Sequence, residues 1–62
     1  MGYKIKEFRE EIGMTQEQLS KKANVSRTTI SGIENGKIET TTTGTLLKIA
    51  NALGKSVREI FL

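Results

Sequence analysis

The sequence predicts an all-α fold: a compact five-helix arrangement in a single domain that spans residues 1–62. Three observations carry this prediction. Apolar residues recur three or four positions apart, which is the spacing of a buried helix face. Capping signals and glycines divide the chain into short segments. A chain of 62 residues is too short to build two separate hydrophobic cores.

The first helix is predicted from apolar spacing near the N-terminus. Ile5, Phe8 and Ile12 are three or four residues apart and are expected to face the core. The helix should run from about residue 3 to residue 12. Gly13 should end it, because glycine readily adopts the left-handed backbone found after a helix C-terminus.

A capping box begins the second helix. Thr15 is followed three residues later by Gln18, and this pair can satisfy backbone N–H groups that a helix start leaves without partners. Leu19 and Ala23 are expected to face inward. Asn24 then interrupts the helix, because asparagine tolerates a left-handed backbone, and the connection is predicted to be a tight turn.

The third helix is expected to begin at Ser26, a favourable N-cap residue, and to end at Asn35 followed by Gly36. Ile30 and Ile33 should face the core. Two further helices complete the fold, and their bounds follow from the same signals.

A loop is expected at residues 37–45, because four consecutive threonines at 40–43 disfavour a helix. The same β-branched run could suit a short strand, but no partner strand is evident. The fourth helix has its inward stripe at Leu46, Ile49, Ala50 and Leu53 and closes at Gly54. Ser56 and Glu59 form a second capping box, which opens a short final helix.

The composition excludes several classes of protein. Without His, Cys or Asp the chain has no zinc site of the usual kinds, no thiolate nucleophile and no imidazole base. Glu7 and Glu11 could pair for acid–base chemistry, but their spacing of one turn on a polar helix face is typical of a solvated surface. We therefore expect no enzyme activity, no catalytic residue, no metal, no cofactor and no small-molecule ligand.

Charge and hydropathy limit the kinds of partner and the location that we expect for the chain. The chain has no stretch of about 18 apolar residues and no signal peptide pattern, so we expect no membrane association and a cytoplasmic location. Ten Lys and Arg against seven Glu give a net charge of +3, which permits polyanion binding without demanding it. Most of the glutamates lie in the first half of the chain, so the basic excess lies elsewhere.

Residues 15–33 have the spacing of a helix-turn-helix unit, in which two helices are joined by a short turn. Ser20 is the small residue expected where the helices cross, and Asn24 is the turn residue. The chain resembles here the lambda-repressor-like family of DNA-binding proteins, of Cro/cI type, also called the xenobiotic-response-element family. The resemblance rests on MTQEQLS at 14–20, on IENGK at 33–37, and on LLKIA and ALG at 46–50 and 52–54.

The family usually has alanine where Ser20 stands, glycine where Asn24 stands, and often a proline in the loop that is threonine-rich here. Ser20 keeps the small volume and Asn24 the tolerance of positive φ that the motif needs. The resemblance implies that helices 2 and 3 form the helix-turn-helix and that the third is a recognition helix.

By the family's pattern the helix Ser26–Asn35 lies in the DNA major groove, with Arg27 and Thr28 at the leading base-reading positions and Gly32 at a third, which here has no side chain. Ser31 is expected to be exposed, as these three are, and is the fourth base-reading candidate. An arginine can donate two hydrogen bonds to guanine, and a threonine methyl can contact a thymine methyl. Arg27 is the first choice as the reading residue. The alternative is that Arg27 is a solvated charge or a phosphate contact.

Phosphate contacts are expected from the flanks of this helix. Gln16 stands at the N-terminus of the second helix, where free N–H groups and the helix dipole favour an anion. Asn35 and Lys37 follow the recognition helix, and Thr29 is a weaker candidate. Alternatively, Gln16 serves only the capping turn and Asn35 only the end of the helix.

Arg9 and Glu34 fall on helix faces that should be apolar. A lone buried charge is costly, so an ion pair between them is the economical interpretation, and the resemblance implies the same partly buried bridge. Its role would be to orient the recognition helix. Two separate residues whose charged ends reach water are the alternative.

The chain ends with three consecutive apolar residues, Ile60, Phe61 and Leu62, and one helix face cannot bury all of them. The resemblance implies a homodimer interface formed by these residues with Arg58, which would place two recognition helices about 34 Å apart. The alternative is that they cap the core beside a frayed terminus.

Together these expectations describe a sequence-specific transcriptional regulator, a repressor that binds double-stranded DNA at an inverted-repeat operator as a dimer. The alternative function is a protein-interaction module of antitoxin or antirepressor type built on the same fold.

Overall fold

A computed structural model describes residues 3–37 and 42–60 of the chain. These residues form five helices: α1 (Ile5–Glu11), α2 (Gln16–Ala23), α3 (Arg27–Glu34), α4 (Thr43–Leu53) and α5 (Val57–Ile60). No strand occurs among them, which confirms the all-α prediction. In the same residues no helix is long and apolar enough to cross a membrane.

The two capping boxes in the sequence mark the starts of α2 and α5 correctly. Thr15 Oγ1 accepts from the Gln18 backbone N–H, and the Gln18 side chain accepts from the Thr15 N–H, so the first capping box is complete. Ser56 and Glu59 form the second box in the same way. The hydrogen bonds from Ser56 hold the pKa of the Glu59 carboxyl below its ordinary value.

Two predicted boundaries are wrong, and both errors have local causes. The loop was expected to reach residue 45, but α4 begins at Thr43, because the Thr42 hydroxyl accepts from the Thr45 N–H and caps the helix. Such a cap offsets the low helix propensity of threonine. Residues 38–41 of the expected loop lie outside the described residues. Ile12 is not buried but 55% exposed, because α1 ends at Glu11 and the chain has already left helical geometry.

The core lies between α2 and α4, which pack against each other while the other helices close the sides. The buried apolar residues are Ile5, Leu19, Ala23, Ile30, Ile33, Leu46, Ile49, Ala50, Ala52, Leu53 and Ile60. Phe8 and Val25 are half-buried against this cluster. The predicted inward stripes of the second, third and fourth helices are therefore confirmed.

The turn between α2 and α3 sets the angle at which α3 leaves the core. Asn24 has φ 58° and ψ 44°, the left-handed conformation that the sequence predicts. Ser20 donates its hydroxyl to the Val25 carbonyl oxygen at 2.6 Å, which ties α2 to the far side of the turn. A small residue at position 20 leaves room for this close approach.

Substitution of Asn24 by valine is expected to lower the free energy of unfolding by about 1–2 kcal/mol, because a β-branched residue is strained at positive φ. Asn24→Gly is the matched control, and it should retain wild-type stability, since glycine adopts this conformation without strain. Urea unfolding followed by circular dichroism measures both. Equal stability of the two variants would contradict this account of the turn.

Candidate nucleic-acid interface

A concave groove of about 510 Å³ lies beside the exposed face of α3. Its lining residues are Gln16, Arg27, Thr28, Ser31, Gly32, Asn35 and Lys37. Each of them is a residue for which the sequence analysis expects a DNA contact. The groove therefore gathers the predicted base-reading residues and most of the predicted phosphate contacts on one surface.

Helix geometry explains why these residues share a face. Arg27, Ser31 and Asn35 are four residues apart, so their side chains lie one above another along α3. Ile30 and Ile33 fall on the opposite side and are 0% and 3% exposed. Burial of these two isoleucines thus orients the polar face of α3 toward solvent.

The four base-reading candidates differ in exposure. Arg27 and Thr28 are exposed at the first turn of α3, whereas Ser31 is only partly exposed. Gly32 was expected to be exposed, but it is buried. A glycine has only backbone to present, and this backbone is buried although Gly32 is one of the lining residues. Gly32 can therefore shape the groove floor but offers no side chain to a base.

The charges of the groove have one sign. Arg27 and Lys37 are exposed cations, and no carboxylate occurs among the lining residues in the described ranges. Within residues 3–37 and 42–60 the exposed glutamates lie on other helices, at Glu7, Glu10 and Glu11 in α1, Glu17 in α2 and Glu59 in α5. Among the described lining residues the groove thus carries positive charge and no negative charge, which favours an anion there.

A buried ion pair joins α1 to α3 behind the groove. Arg9 Nε donates to Glu34 Oε2 at 2.8 Å and Arg9 Nη2 to Glu34 Oε1 at 3.0 Å, so the expected pair is present with two parallel hydrogen bonds. The side chains are 10% and 3% exposed. The bond to Glu34 raises the pKa of Arg9 above its ordinary value, and burial opposes this rise.

The ion pair extends to two further residues. Arg9 Nη1 donates to the Met14 carbonyl oxygen at 2.7 Å, and Gln16 Nε2 donates to Glu34 Oε1 at 2.9 Å. The network thus connects α1, α2 and α3. The bond between Gln16 and Glu34 could not be predicted from the sequence, because no periodicity or cap relates two residues 18 positions apart.

The other candidate phosphate-binding residues differ in their position relative to the groove. Asn35 and Lys37 are exposed at its end, where the Lys37 N–H donates to Asn35 Oδ1 at 3.1 Å. Thr29 is outside the lining, and its hydroxyl accepts a hydrogen bond from the Ser26 hydroxyl at 2.8 Å. Ser26 also caps α3 by accepting from the Thr29 N–H. The Thr29 side chain is therefore engaged with the N-cap residue at the start of α3.

The C-terminal residues divide between core and surface. Ile60 was expected at a dimer interface, but its side chain is 0% exposed and belongs to the core. The Lys4 N–H donates to the Ile60 carbonyl oxygen at 2.8 Å, which holds the end of α5 against the start of α1. Arg58 is exposed. The remaining two interface candidates, Phe61 and Leu62, lie outside the described residues.

Two helices joined by a tight turn, the second with a cation-bearing polar face, define a helix-turn-helix DNA-binding domain. Comparison with known proteins agrees with this class. The sequence model of the helix-turn-helix family matches residues 5–60 of the chain. The chain belongs to this family, within its lambda-repressor-like, xenobiotic-response-element type, whose members are DNA-binding transcriptional regulators and not a class of enzymes.

Relatives of similar length occur in archaea. The chain is 39% identical over 62 residues to an uncharacterized helix-turn-helix transcriptional regulator of Archaeoglobus fulgidus, with coverage of all of this chain and 87% of that protein. It is 40% identical over 62 residues to a regulator of the same description from Methanocaldococcus jannaschii, of which it covers 92%.

Two solved structures have the same fold. A chain of the SinR protein/SinI protein complex superposes with a TM-score of 0.89 at 29% identity, covering 94% of this chain and 56% of that one. The restriction-modification controller protein C.AhdI from Aeromonas hydrophila gives a TM-score of 0.87 at 31% identity, covering 94% of this chain and 86% of its own. The chain thus spans about half of the first and most of the second.

Proposed function

We propose that this chain is a sequence-specific repressor that binds double-stranded DNA as a homodimer, each copy acting as a single domain with α3 in the major groove. The observation that carries the proposal is the groove at α3. It combines exposed cations, amide and hydroxyl groups, and an absence of carboxylates among its described lining residues. This is the chemistry that base edges and phosphates require.

Within this proposal the groove residues have distinct tasks. The eight residues of α3 span about 12 Å, roughly the width of the major groove and the length of three to four base pairs. Arg27 and Thr28, at the N-terminal end of α3, read bases, with Ser31 behind them. Gln16, Asn35 and Lys37 flank the helix and bind phosphates, which sets the register of α3 on the duplex.

Dimerisation would match the two-fold symmetry of an operator. The exposed Arg58 of α5 and the terminal Phe61 and Leu62 are the residues proposed for this contact. Recognition helices related by a two-fold axis bind half-sites about 10 base pairs apart, one turn of DNA. Binding of such a site would occlude a promoter and so repress transcription.

Selection of bound duplexes from a random DNA pool tests the proposal. We expect an inverted repeat whose half-sites are centred about 10 base pairs apart. A selected site without two-fold symmetry would contradict the dimer, and failure to enrich any sequence would contradict sequence-specific binding. Gel-filtration mass measurement of the protein with and without the selected duplex then gives the number of copies bound.

A protein-interaction module is the second candidate, and the observation in its favour is that one structural neighbour occurs in a complex with another protein. Salt distinguishes the two functions. Two copies with two groove cations each, if all four neutralise phosphates, would lose affinity about 10²-fold between about 50 and 200 mM salt. An interaction that buries apolar surface should change little over the same range, and that result would favour the protein partner.

A further inference from the structure

The Glu34 carboxylate holds a second side chain besides Arg9. Its Oε1 accepts from Arg9 Nη2 at 3.0 Å and also from Gln16 Nε2 at 2.9 Å. The Glu34 side chain is 3% exposed, so both bonds form away from bulk water. The carboxamide of Gln16 is thus held by Glu34, which is not a lining residue of the groove, whereas Gln16 itself lines the groove.

This contact determines the orientation of the Gln16 carboxamide. An ionised carboxylate accepts hydrogen bonds and cannot donate one. The NH₂ group of Gln16 must therefore face Glu34, and the amide oxygen must point elsewhere. A glutamine without such a partner can turn its amide over and present either group, so Glu34 removes a freedom that an isolated surface glutamine has.

The orientation matters for an anion in the groove. A phosphate oxygen is an acceptor, which an amide N–H attracts and an amide oxygen repels. The Gln16 nitrogen carries two N–H donors, and Glu34 uses one of them. The paired guanidinium of Arg9 offsets the negative charge of Glu34, so the carboxylate can hold the amide without adding a full unpaired charge near a phosphate.

We propose that Glu34 is a positioning residue for DNA binding, which fixes the carboxamide of Gln16 so that its second N–H binds one DNA phosphate. The inference rests on the proposed function, because it needs DNA in the groove. Glu34 does not touch DNA itself. The buried pair then has two effects, one on the stability of the fold and one, through Gln16, on affinity.

A mutant cycle on a selected DNA duplex separates the two effects. The four proteins are the wild type, Gln16→Ala, the paired variant R9M/E34M, and the combination of all three changes. Replacement of both members of a buried ion pair by apolar residues of similar volume is often neutral or stabilising, so the paired variant is expected to fold. Thermal unfolding checks this for each protein.

Gln16→Ala should weaken binding about 10-fold in the wild-type background, the effect of one hydrogen bond to a charged group. In the R9M/E34M background it should weaken binding only about 2- to 5-fold, because the freed side chain must lose rotamer freedom and one of two amide orientations on binding. Gln18→Ala is the matched control: Gln18 is also a glutamine of α2, but it lies outside the groove lining. It should have the same small effect in both backgrounds.

The outcomes distinguish this inference from the proposed function. An equal loss from Gln16→Ala in both backgrounds would overturn the positioning role of Glu34. Failure of the wild type to bind any selected duplex would overturn the proposed function instead.

A second measurement uses the wild-type protein alone and does not depend on the folding of a variant. The side-chain amide protons of Gln16 can be followed by NMR in the free protein and with the duplex. We expect one proton to be protected from exchange in both states, because it is bonded to Glu34, and the other to become protected when DNA binds. Loss of the first protection in the complex would overturn the inference.

Discussion

Glu34→Ala is expected to lower the free energy of unfolding by about 3–5 kcal/mol, because it leaves the Arg9 guanidinium buried without a counter-charge. Arg9 is buried, and two of its three hydrogen-bonded nitrogens donate to Glu34. The same substitution removes the acceptor of Gln16. A loss of this size approaches the whole stability of a domain with so small a core.

Urea unfolding at low temperature, followed by circular dichroism, measures this loss. The matched control is Glu17→Ala, which breaks the pair between Lys21 Nζ and Glu17 Oε2 at 3.6 Å. Both of those side chains are mostly exposed, so the control should cost less than about 1 kcal/mol. A Glu34→Ala protein as stable as the control would show that the buried pair contributes little to the fold.

Arg27→Ala is expected to weaken binding to the selected operator by about 1–3 kcal/mol, which is a loss of roughly 10- to 100-fold, and to relax base preference at one position. Arg27 is exposed at the N-terminal end of α3 and lines the groove, where a guanidinium can donate two parallel hydrogen bonds to guanine. Competition binding with operators changed at single base pairs measures both effects.

Two further variants assign the role of Arg27. Arg27→Lys keeps the charge but loses the planar pair of donors, so it should retain nonspecific affinity and lose base preference. Lys21→Ala removes an exposed cation outside the groove lining and should change neither. A uniform loss of affinity on all operators after Arg27→Ala would mean that Arg27 contacts a phosphate and that the base-reading assignment is wrong.

Most of the helix starts could be predicted because their signals are local. The hydroxyl and carboxamide of a capping box act within three residues, as at Thr15 and Ser56, and the left-handed turn at Asn24 depends on one residue. The start of α4 was misplaced because a run of threonines contains several possible N-caps. Only the folded chain shows that Thr42 is the one used.

The candidate site was harder to predict where packing decides exposure. Arg27 and Thr28 are exposed as helical spacing requires, but Gly32 is covered and Ile60 is fully buried, although the pattern favoured exposure for both. Spacing says which face of a helix a residue shares, and it does not say how much of that residue the folded chain covers. Contact with DNA remains a prediction for every groove residue.

The sequence by itself determined the all-α fold class, the two capping boxes, the left-handed turn and the exposure of Arg27 and Thr28 on α3, because each depends on interactions within about one helical turn. The sequence also predicted the pair of Arg9 and Glu34, but only the tertiary structure decided that Gln16 joins this pair, since its bond to Glu34 links residues 18 positions apart. Their distances depend on how three helices cross. The packing of the isoleucines on the inner face of α3 sets that crossing and aims its polar face outward.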